Sequence, residues 1–217
     1  MMAQLATPLS WIEISHTALI HNLHEIRKVV GSTVQIFPCV KANAYGHGIA
    51  LVAQAMIESG VAGFSVAEFE EACCLRNQGI SQPIQIMSPL PDAHIHAAAN
   101  ADLWVWVHDL PDAQRVIQGI KGCAKSLNVV VKVDTGMGRF GVAPAEVEEL
   151  LHFLQKSPSV QVVSVATHFA TADLDDALFA LQRDDFAQGK RLATQVMGRT
   201  PLRFQSANSA ALLRSAQ

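Results

Sequence analysis

The chain has few charged residues, few aromatic residues and a single tyrosine. Of its 217 residues, 16% are charged and 6% are aromatic, whereas 50% are hydrophobic. This hydrophobic share, combined with so little charge, excludes an intrinsically disordered chain. The formal net charge is -3 and no block of basic residues occurs. The composition therefore gives no support to nucleic-acid binding.

Long apolar runs and targeting segments are also missing. No apolar stretch reaches the roughly 20 residues of a membrane span, so no membrane partner is expected. Residues 1–10 lack the charged and apolar regions of a secretory signal peptide. The four cysteines include no CxxC pair, and the nine histidines show no ligand spacing with them. We therefore expect no metal site and a reducing, cytoplasmic location.

Apolar strand-like runs alternate with helix-like stretches over most of the chain. Predicted strands cover a short N-terminal run at 11–14 and then 35–41, 63–66, 84–87, 103–107, 129–134, 160–168 and 202–205. Predicted helices lie between them at 16–30, 49–59, 67–77, 92–99, 112–125, 144–155 and 174–197. Repeated strand–helix units indicate one α/β domain over residues 1–217, with a parallel sheet covered by helices. A (β/α)8 barrel and a doubly wound open sheet both fit this pattern.

A lysine at the end of the first long strand is the most informative residue. Lys41 follows the apolar run 36–40, and a lysine is rarely buried without a partner. One explanation is a Schiff base with an aldehyde cofactor, and the other is a lysine that extends to solvent. Tyr45 and a glycine-rich turn then precede a helix whose N-terminus would favour a phosphate. From spacing alone both explanations stay open.

Polar residues also follow three later predicted strands, where barrels place their active sites. They are Lys132, Asp134 and Arg139 around a glycine-rich turn, then His168, then Asn208 and Ser209. The ordinary alternatives are an Asp134–Arg139 salt bridge, a hydrogen-bonded histidine and a serine that caps a helix. Glu68, Glu70 and Glu71 are interpreted as a solvated helix face, and Trp104 and Trp106 as packing residues.

Four segments resemble motifs of the alanine racemase family and occur in the family's order. They are Val40-Lys41-Ala42-Asn43-Ala44-Tyr45-Gly46-His47-Gly48, Lys132-Val133-Asp134-Thr135-Gly136-Met137-Gly138-Arg139-Phe140-Gly141, Thr167-His168-Phe169-Ala170-Thr171-Ala172-Asp173 and Ala207-Asn208-Ser209-Ala210-Ala211. The resemblance runs from about Trp11 to the last residue. It implies a (β/α)8 TIM-type barrel with about seven of the eight strands. It also implies pyridoxal 5'-phosphate (PLP) as the cofactor and interconversion of L- and D-alanine.

The resemblance assigns a role to each candidate residue. Lys41 would form a Schiff base with PLP and act as a catalytic base, and Arg139 would bind substrate or cofactor oxygens. Lys132, supported by Asp134, would be carbamylated and pair with Arg139. The cofactor-binding residues would be Lys41, Tyr45, His168, Asn208 and Ser209.

The family also has parts that this chain does not match. They are an eighth strand with an arginine at the ring nitrogen and a second, mostly β domain. That domain supplies a second base and completes a homodimer. We therefore expect a fragment or truncated form with impaired activity alone, whose residues 1–14 would pack on the missing domain. The alternative is a non-catalytic, single-domain protein of PLP homeostasis.

Overall fold

The computed structural model describes residues 10–174 and 176–215 and contains a parallel six-stranded sheet in the order β1-β2-β3-β4-β5-β6. The strands are β1 Phe64–Val66, β2 Ile84–Ile86, β3 Leu103–Val107, β4 Leu127–Lys132, β5 Val160–Ala166 and β6 Arg203–Gln205. The helices are α1 His16–Val30, α2 Lys41–Tyr45, α3 Ile49–Glu58, α4 Phe69–Asn77, α5 Ile95–Asn100, α6 Leu110–Gly119, α7 Val147–Gln155, α8 Asp176–Met197 and α9 Ser209–Ser215. Short 3-10 helices, Asp92–His94 and Pro144–Glu146, precede α5 and α7.

Most residues of β1 to β5 are buried on both faces of the sheet, which explains why these strands are largely apolar. Side chains alternate between the faces along each strand. Val105, Val129 and Val131 point outward into the core that the helices cover. Trp106 and Val130 belong to a separate inner cluster with Trp104, Val163 and Ala166. The predicted packing role of the two tryptophans is therefore confirmed.

A buried polar cluster shows that the sheet curls into a barrel wall. Gln85 on β2 donates to Gln205 on β6 at 2.8 Å, although three strands separate β2 from β6 in the sheet. Gln85 also donates to Ser65 at 2.7 Å and accepts from the Trp106 indole at 3.1 Å. Gln205 in turn donates to Ser164 at 2.9 Å. These contacts span the barrel interior, and the predicted barrel class is confirmed over the open sheet.

The first long predicted strand is irregular rather than regular. The run 36–40 lies beside β1, where Pro38 O accepts from Ser65 N at 2.9 Å and Val40 N donates to Ser65 O at 2.9 Å. These two segments are joined by an isolated β-bridge between Cys39 and Ser65, and not by a continuous ladder of strand hydrogen bonds. Proline has no N–H to give to a ladder, so Pro38 interrupts the pairing. Over residues 10–174 and 176–215, the structure thus has six regular strands where seven were predicted from residue 35 onward.

The prediction of a strand at 11–14 is wrong, because no strand lies between residues 10 and 15. Trp11 is 68% exposed and Ile12 is 76% exposed. Residues 1–9, the rest of the predicted N-terminal segment, lie outside the described residues. Ser15 then caps α1, since its hydroxyl accepts from Ala18 N at 3.2 Å. Within the described ranges, no helix is long and apolar enough to cross a membrane.

Candidate functional site

The candidate residues lie at or just after the carboxyl ends of the strands. Lys41 follows the irregular segment beside β1, Lys132 is the last residue of β4, and His168 lies two residues after β5. Asn208 and Ser209 follow β6. Because the strands are parallel, their carboxyl ends meet at the same rim. The structure therefore brings the predicted residues to one end of the barrel.

Lys41 is followed by a left-handed turn. Ala42, Asn43, Ala44 and Tyr45 all have φ between 51 and 55°. Each non-glycine residue costs about 1–2 kcal/mol in this conformation, so other contacts must hold the turn. One of them is the Asn43 side chain, which accepts from Ile49 N at 2.8 Å and so joins the turn to α3. The sequence predicted extended backbone through Lys41 and a simple glycine turn.

Glu71 is the second contact that holds the turn, and its interpretation as a solvated residue is wrong. Its Oε1 accepts from Ala42 N at 2.5 Å. Its Oε2 accepts from Ala67 N at 2.9 Å and from Glu68 N at 3.1 Å. The carboxylate thus fixes the start of α4 against the residue after Lys41. Sequence patterns gave no sign of this contact, which joins residues 29 positions apart.

Tyr45 is placed beside Lys41 at the end of the turn. The Lys41 ammonium lies 6.0 Å from the centre of the tyrosine ring. The Tyr45 hydroxyl donates to Cys39 Sγ at 3.3 Å, which puts Cys39 at the same corner. Burial and this hydrogen bond raise the pKa of Tyr45 to about 12. The phenol therefore stays protonated and remains a hydrogen-bond donor at neutral pH.

Lys132 is a buried cation on the barrel interior. Its side chain is 4% exposed, and its ammonium donates to Val133 O at 2.6 Å. Burial lowers the pKa of Lys132 to about 8, with Arg139 lowering it further and Asp134 opposing the shift. About a tenth of the Lys132 amine is therefore neutral at pH 7, far more than for an ordinary lysine.

The stability of the fold should rise with pH because of Lys132. Between pH 8 and the ordinary lysine value of 10.5, the unfolded chain binds a proton that the folded chain has lost. In carbonate-free buffer, Lys132→Met should flatten this rise and add up to about 3 kcal/mol of stability at pH 7. Urea unfolding between pH 7 and 10.5 measures the slope. The exposed Lys121→Met is the matched control, and an equal slope in both variants would contradict the account.

Asp134 organises the glycine-rich loop through the backbone. Its carboxylate accepts from Gly136 N at 3.0 Å, Met137 N at 2.9 Å and Gly138 N at 3.0 Å. Across residues 10–174 and 176–215, no ion pair joins Asp134 to Arg139, so the salt-bridge alternative is not found. The exposed Arg139 side chain is left available to an anion.

A glycine closes the same loop against β4. Gly141 has φ +122°, and a Cβ there would lie 2.7 Å from Asp134 N and 3.0 Å from Lys132 O. This close approach allows Val142 and β4 to exchange hydrogen bonds, including Asp134 N to Val142 O at 2.8 Å. Glycine is therefore required at 141, and the loop that carries Arg139 is held directly over Lys132.

The pKa of His168 is affected by several cations at the rim. Burial lowers the pKa of His168, and the charges of Arg139, Lys132 and Lys41 lower it further. Three cations from two segments of the chain, Lys41 in one and Lys132 with Arg139 in the other, therefore act on one half-buried imidazole. The rim has an excess of positive charge suited to an anionic ligand.

Replacing Arg139 by glutamine should raise the pKa of His168. Removal of a nearby positive charge makes protonation of the imidazole less unfavourable. An NMR titration of the imidazole nitrogens measures the change. Arg191→Gln removes an exposed charge on α8 and is the control, for which we expect no change. If both variants titrate like the unmodified chain, Arg139 does not face His168.

Asn208 and Ser209 lie at the start of α9. The Asn208 amide donates to Phe169 O at 3.0 Å and accepts from Ala211 N at 3.0 Å, so it caps this helix. Ser209 is the exposed first residue of α9. Asn208 therefore has a structural role in this arrangement, and the contacts of both residues with a cofactor stay predictions.

Sequence reasoning missed His108, a buried histidine next to Lys132. Val107 pairs with Val131, so His108 is the next residue along β3 beside Lys132 on β4. His108 is 4% exposed, and neither ring nitrogen has a hydrogen-bond partner among the described residues. The ring of Phe140 covers it, with 4.8 Å between ring centres. Its position at the end of an apolar strand was the available signal.

The family assignment follows from comparison with known proteins. The family model described as "Alanine racemase, N-terminal domain" matches residues 14–217. The chain belongs to the alanine racemase family. The resemblance found in the four motif segments is therefore confirmed.

Individual alanine racemases agree with this assignment. Alanine racemase 1 of Bacillus subtilis is 34% identical over 206 residues, which cover 94% of this chain and 52% of that protein. Alanine racemase 2 of Caldanaerobacter subterraneus is 35% identical over 177 residues, covering 79% of this chain and 45% of that protein. The chain spans about half the length of the curated relatives it matches.

Solved structures give the same result for the fold. The alanine racemase from Bacillus anthracis with bound L-Ala-P superimposes with a TM-score of 0.86 at 32% identity. The match covers 95% of this chain and 54% of that one. The alanine racemase from E. faecalis, also 32% identical, gives a TM-score of 0.83 over 92% of this chain. The barrel wall seen here is thus shared with alanine racemases over nearly its whole described length.

Proposed function

We propose that this chain forms the PLP-binding barrel of an alanine racemase and that Lys41 holds the cofactor. The observation that supports the proposal is the position of Lys41, which lies with Lys132, Arg139 and His168 at the end of the barrel where the parallel strands finish. Within the described ranges, the Lys41 ammonium has no carboxylate partner. Family membership supports the reaction class, and alanine as substrate rests on the relatives named above.

The residues at the rim fit PLP. An aldehyde needs an amine, and Lys41 supplies it beside the Tyr45 ring at 6.0 Å. A phosphate and a substrate carboxylate both need cations or donors. The exposed Arg139 and the protonated Tyr45 hydroxyl offer them, while the Asp134 carboxylate is already saturated by backbone N–H groups. His168, and Ser209 at the start of α9, would make further contacts with the cofactor.

Racemisation requires proton transfer at the substrate α-carbon. When bound, PLP supplies an electron sink that makes the α-proton acidic. Lys41 is the amine placed to take or return that proton on one face of the substrate. The chain's single tyrosine, Tyr45, is engaged with Cys39 and lies on the Lys41 side. We infer that the opposite-face group belongs to the part of the relatives that this chain does not span, so that the chain alone racemises slowly.

Carbamylation of Lys132 is part of the same proposal. The reaction joins a neutral lysine amine to carbon dioxide and releases a proton, and it replaces a cation by an anion. The lowered pKa of Lys132, about 8, favours the neutral amine that this reaction needs. The product would attract the exposed guanidinium of Arg139 and align it with the substrate carboxylate. We also propose a cytoplasmic location and, for the whole protein, a homodimer.

The test of the proposal combines cofactor binding with turnover. We expect PLP added to the purified chain to give a visible Schiff-base absorbance band. We also expect slow formation of D-alanine from L-alanine. Binding without any exchange of the alanine α-proton would favour the alternative, a non-catalytic protein of PLP homeostasis. Absence of the absorbance band at saturating PLP would contradict both functions.

A further inference from the structure

We propose that Glu71 is a positioning residue that holds the left-handed turn after Lys41 and thereby aims the lysine amine at the barrel mouth. The inference rests on the proposed function, because its purpose is the placement of the Lys41 amine. It concerns a residue on α4 that lies outside the four motif segments. The Glu71 carboxylate accepts three hydrogen bonds, one of them from the first residue of the turn.

The left-handed turn after Lys41 is energetically unfavourable for the residues that form it. Four consecutive non-glycine residues, Ala42 to Tyr45, have φ between 51 and 55°. Single residues visit this region, but a run of four is held only when the surroundings over-determine it. The turn begins directly at the residue after Lys41, so its conformation sets the direction of the Lys41 side chain. A contact at Ala42 therefore controls the lysine more directly than one further along.

The hydrogen bonds of Glu71 hold this turn at its first residue. Glu71 Oε1 accepts from Ala42 N at 2.5 Å, the first amide of the turn. Its other oxygen accepts from Ala67 N and Glu68 N, at 2.9 and 3.1 Å. All three partners are backbone N–H donors, and both carboxylate oxygens are needed to accept from them in this arrangement. Because β1, the strand at one edge of the sheet, ends at Val66, this carboxylate ties the Lys41 turn to the residues that directly follow β1.

Replacing Glu71 by glutamine tests whether both carboxylate oxygens are needed. In Glu71→Gln the side chain keeps its length but retains one acceptor oxygen and gains an NH₂ donor. It then satisfies Ala42 N or the pair at 67–68, but not both. Glu70→Gln is the matched control, since Glu70 is the preceding residue of α4, is exposed and undergoes the same chemical change.

Two measurements test the proposal. Amide hydrogen exchange at Ala42 needs no cofactor, and in Glu71→Gln we expect it to accelerate about 10-fold to 100-fold. The rate at which PLP modifies Lys41, trapped by borohydride reduction, should fall by a similar factor. Glu70→Gln should match the unmodified chain in both measurements.

Glycine at position 42 provides a rescue. Glycine adopts a φ of +51° without strain, so the turn in Ala42→Gly depends less on Glu71. The double variant Ala42→Gly, Glu71→Gln should recover at least several-fold of the lost modification rate. A purely structural role for Glu71 in α4 would give no such recovery.

The outcomes separate this inference from the proposed function. If the unmodified chain forms no adduct at Lys41, the proposed function fails, while the exchange rate at Ala42 still tests whether Glu71 holds the turn. Unchanged exchange in Glu71→Gln overturns the inference. Faster exchange with an unchanged modification rate, or a general loss of fold that Ala42→Gly does not restore, also overturns it.

Discussion

Replacing Lys41 by alanine should abolish the Schiff-base absorbance band of the PLP-treated chain. The same variant should slow the exchange of the alanine α-proton with solvent deuterium by about 10²-fold to 10⁴-fold, the usual contribution of a positioned acid–base group. Exchange is the appropriate assay because it requires only one base, on the Lys41 face. Mass spectrometry of alanine recovered from deuterated buffer measures it directly.

The control for this result is another lysine that is accessible to PLP. Lys28 is 72% exposed and pairs with Glu25 at 2.6 Å on α1, far along the chain from the rim. Lys28→Ala should leave both the band and the exchange rate unchanged. Equal loss in the two variants, or an unchanged band in Lys41→Ala, would show that PLP reacts with lysines without selection.

Replacing Gln85 by alanine should destabilise the fold by at least about 3 kcal/mol. Gln85 is 2% exposed and joins Ser65, Trp106 and Gln205 inside the barrel. Its removal leaves the buried indole N–H and the Gln205 amide oxygen without this partner, while the Gln205 amide nitrogen keeps Ser164, and it adds a cavity. Urea unfolding followed by tryptophan fluorescence measures the loss, and Trp106 should also report the change directly.

Gln161→Ala is the matched control for the buried glutamine. Gln161 lies on β5 but is exposed, so its truncation should change the free energy of unfolding by no more than about 0.5 kcal/mol. A loss at position 85 as small as that at 161 would show that the polar cluster contributes little. The curvature of the sheet would then depend on the apolar inner residues alone.

The elements that sequence reasoning predicted well are those with a local cause. Helix α1 was predicted with its bounds, because Ser15 provides a cap and the residues after it suit a helix. Strands β1 to β5 were found because each is a largely apolar run between turn residues. The choice of barrel over open sheet came only from the family motifs. The contact that shows the curvature of the sheet, between Gln85 and Gln205, joins residues 120 positions apart. No local sequence pattern predicts a contact over that distance.

The parts that were missed depend on contacts between distant segments. Nothing in the run from Ala42 to Tyr45 predicts a left-handed turn, since no glycine occurs in it. The turn exists because Glu71 and Asn43 accept hydrogen bonds that a local pattern does not reveal. Pro38 similarly disrupted a strand that hydrophobicity alone predicted. For the site, the motif residues did reach one rim, whereas Glu71 and His108 required the structure.

The most direct measurement is the position of the covalent adduct. The chain is incubated with PLP, reduced with borohydride and digested, and the modified peptide is sequenced by mass spectrometry. The account predicts modification at Lys41 in a one-to-one ratio and none at the buried Lys132. Modification of other lysines with Lys41 left free would contradict the assignment of this rim as the cofactor site.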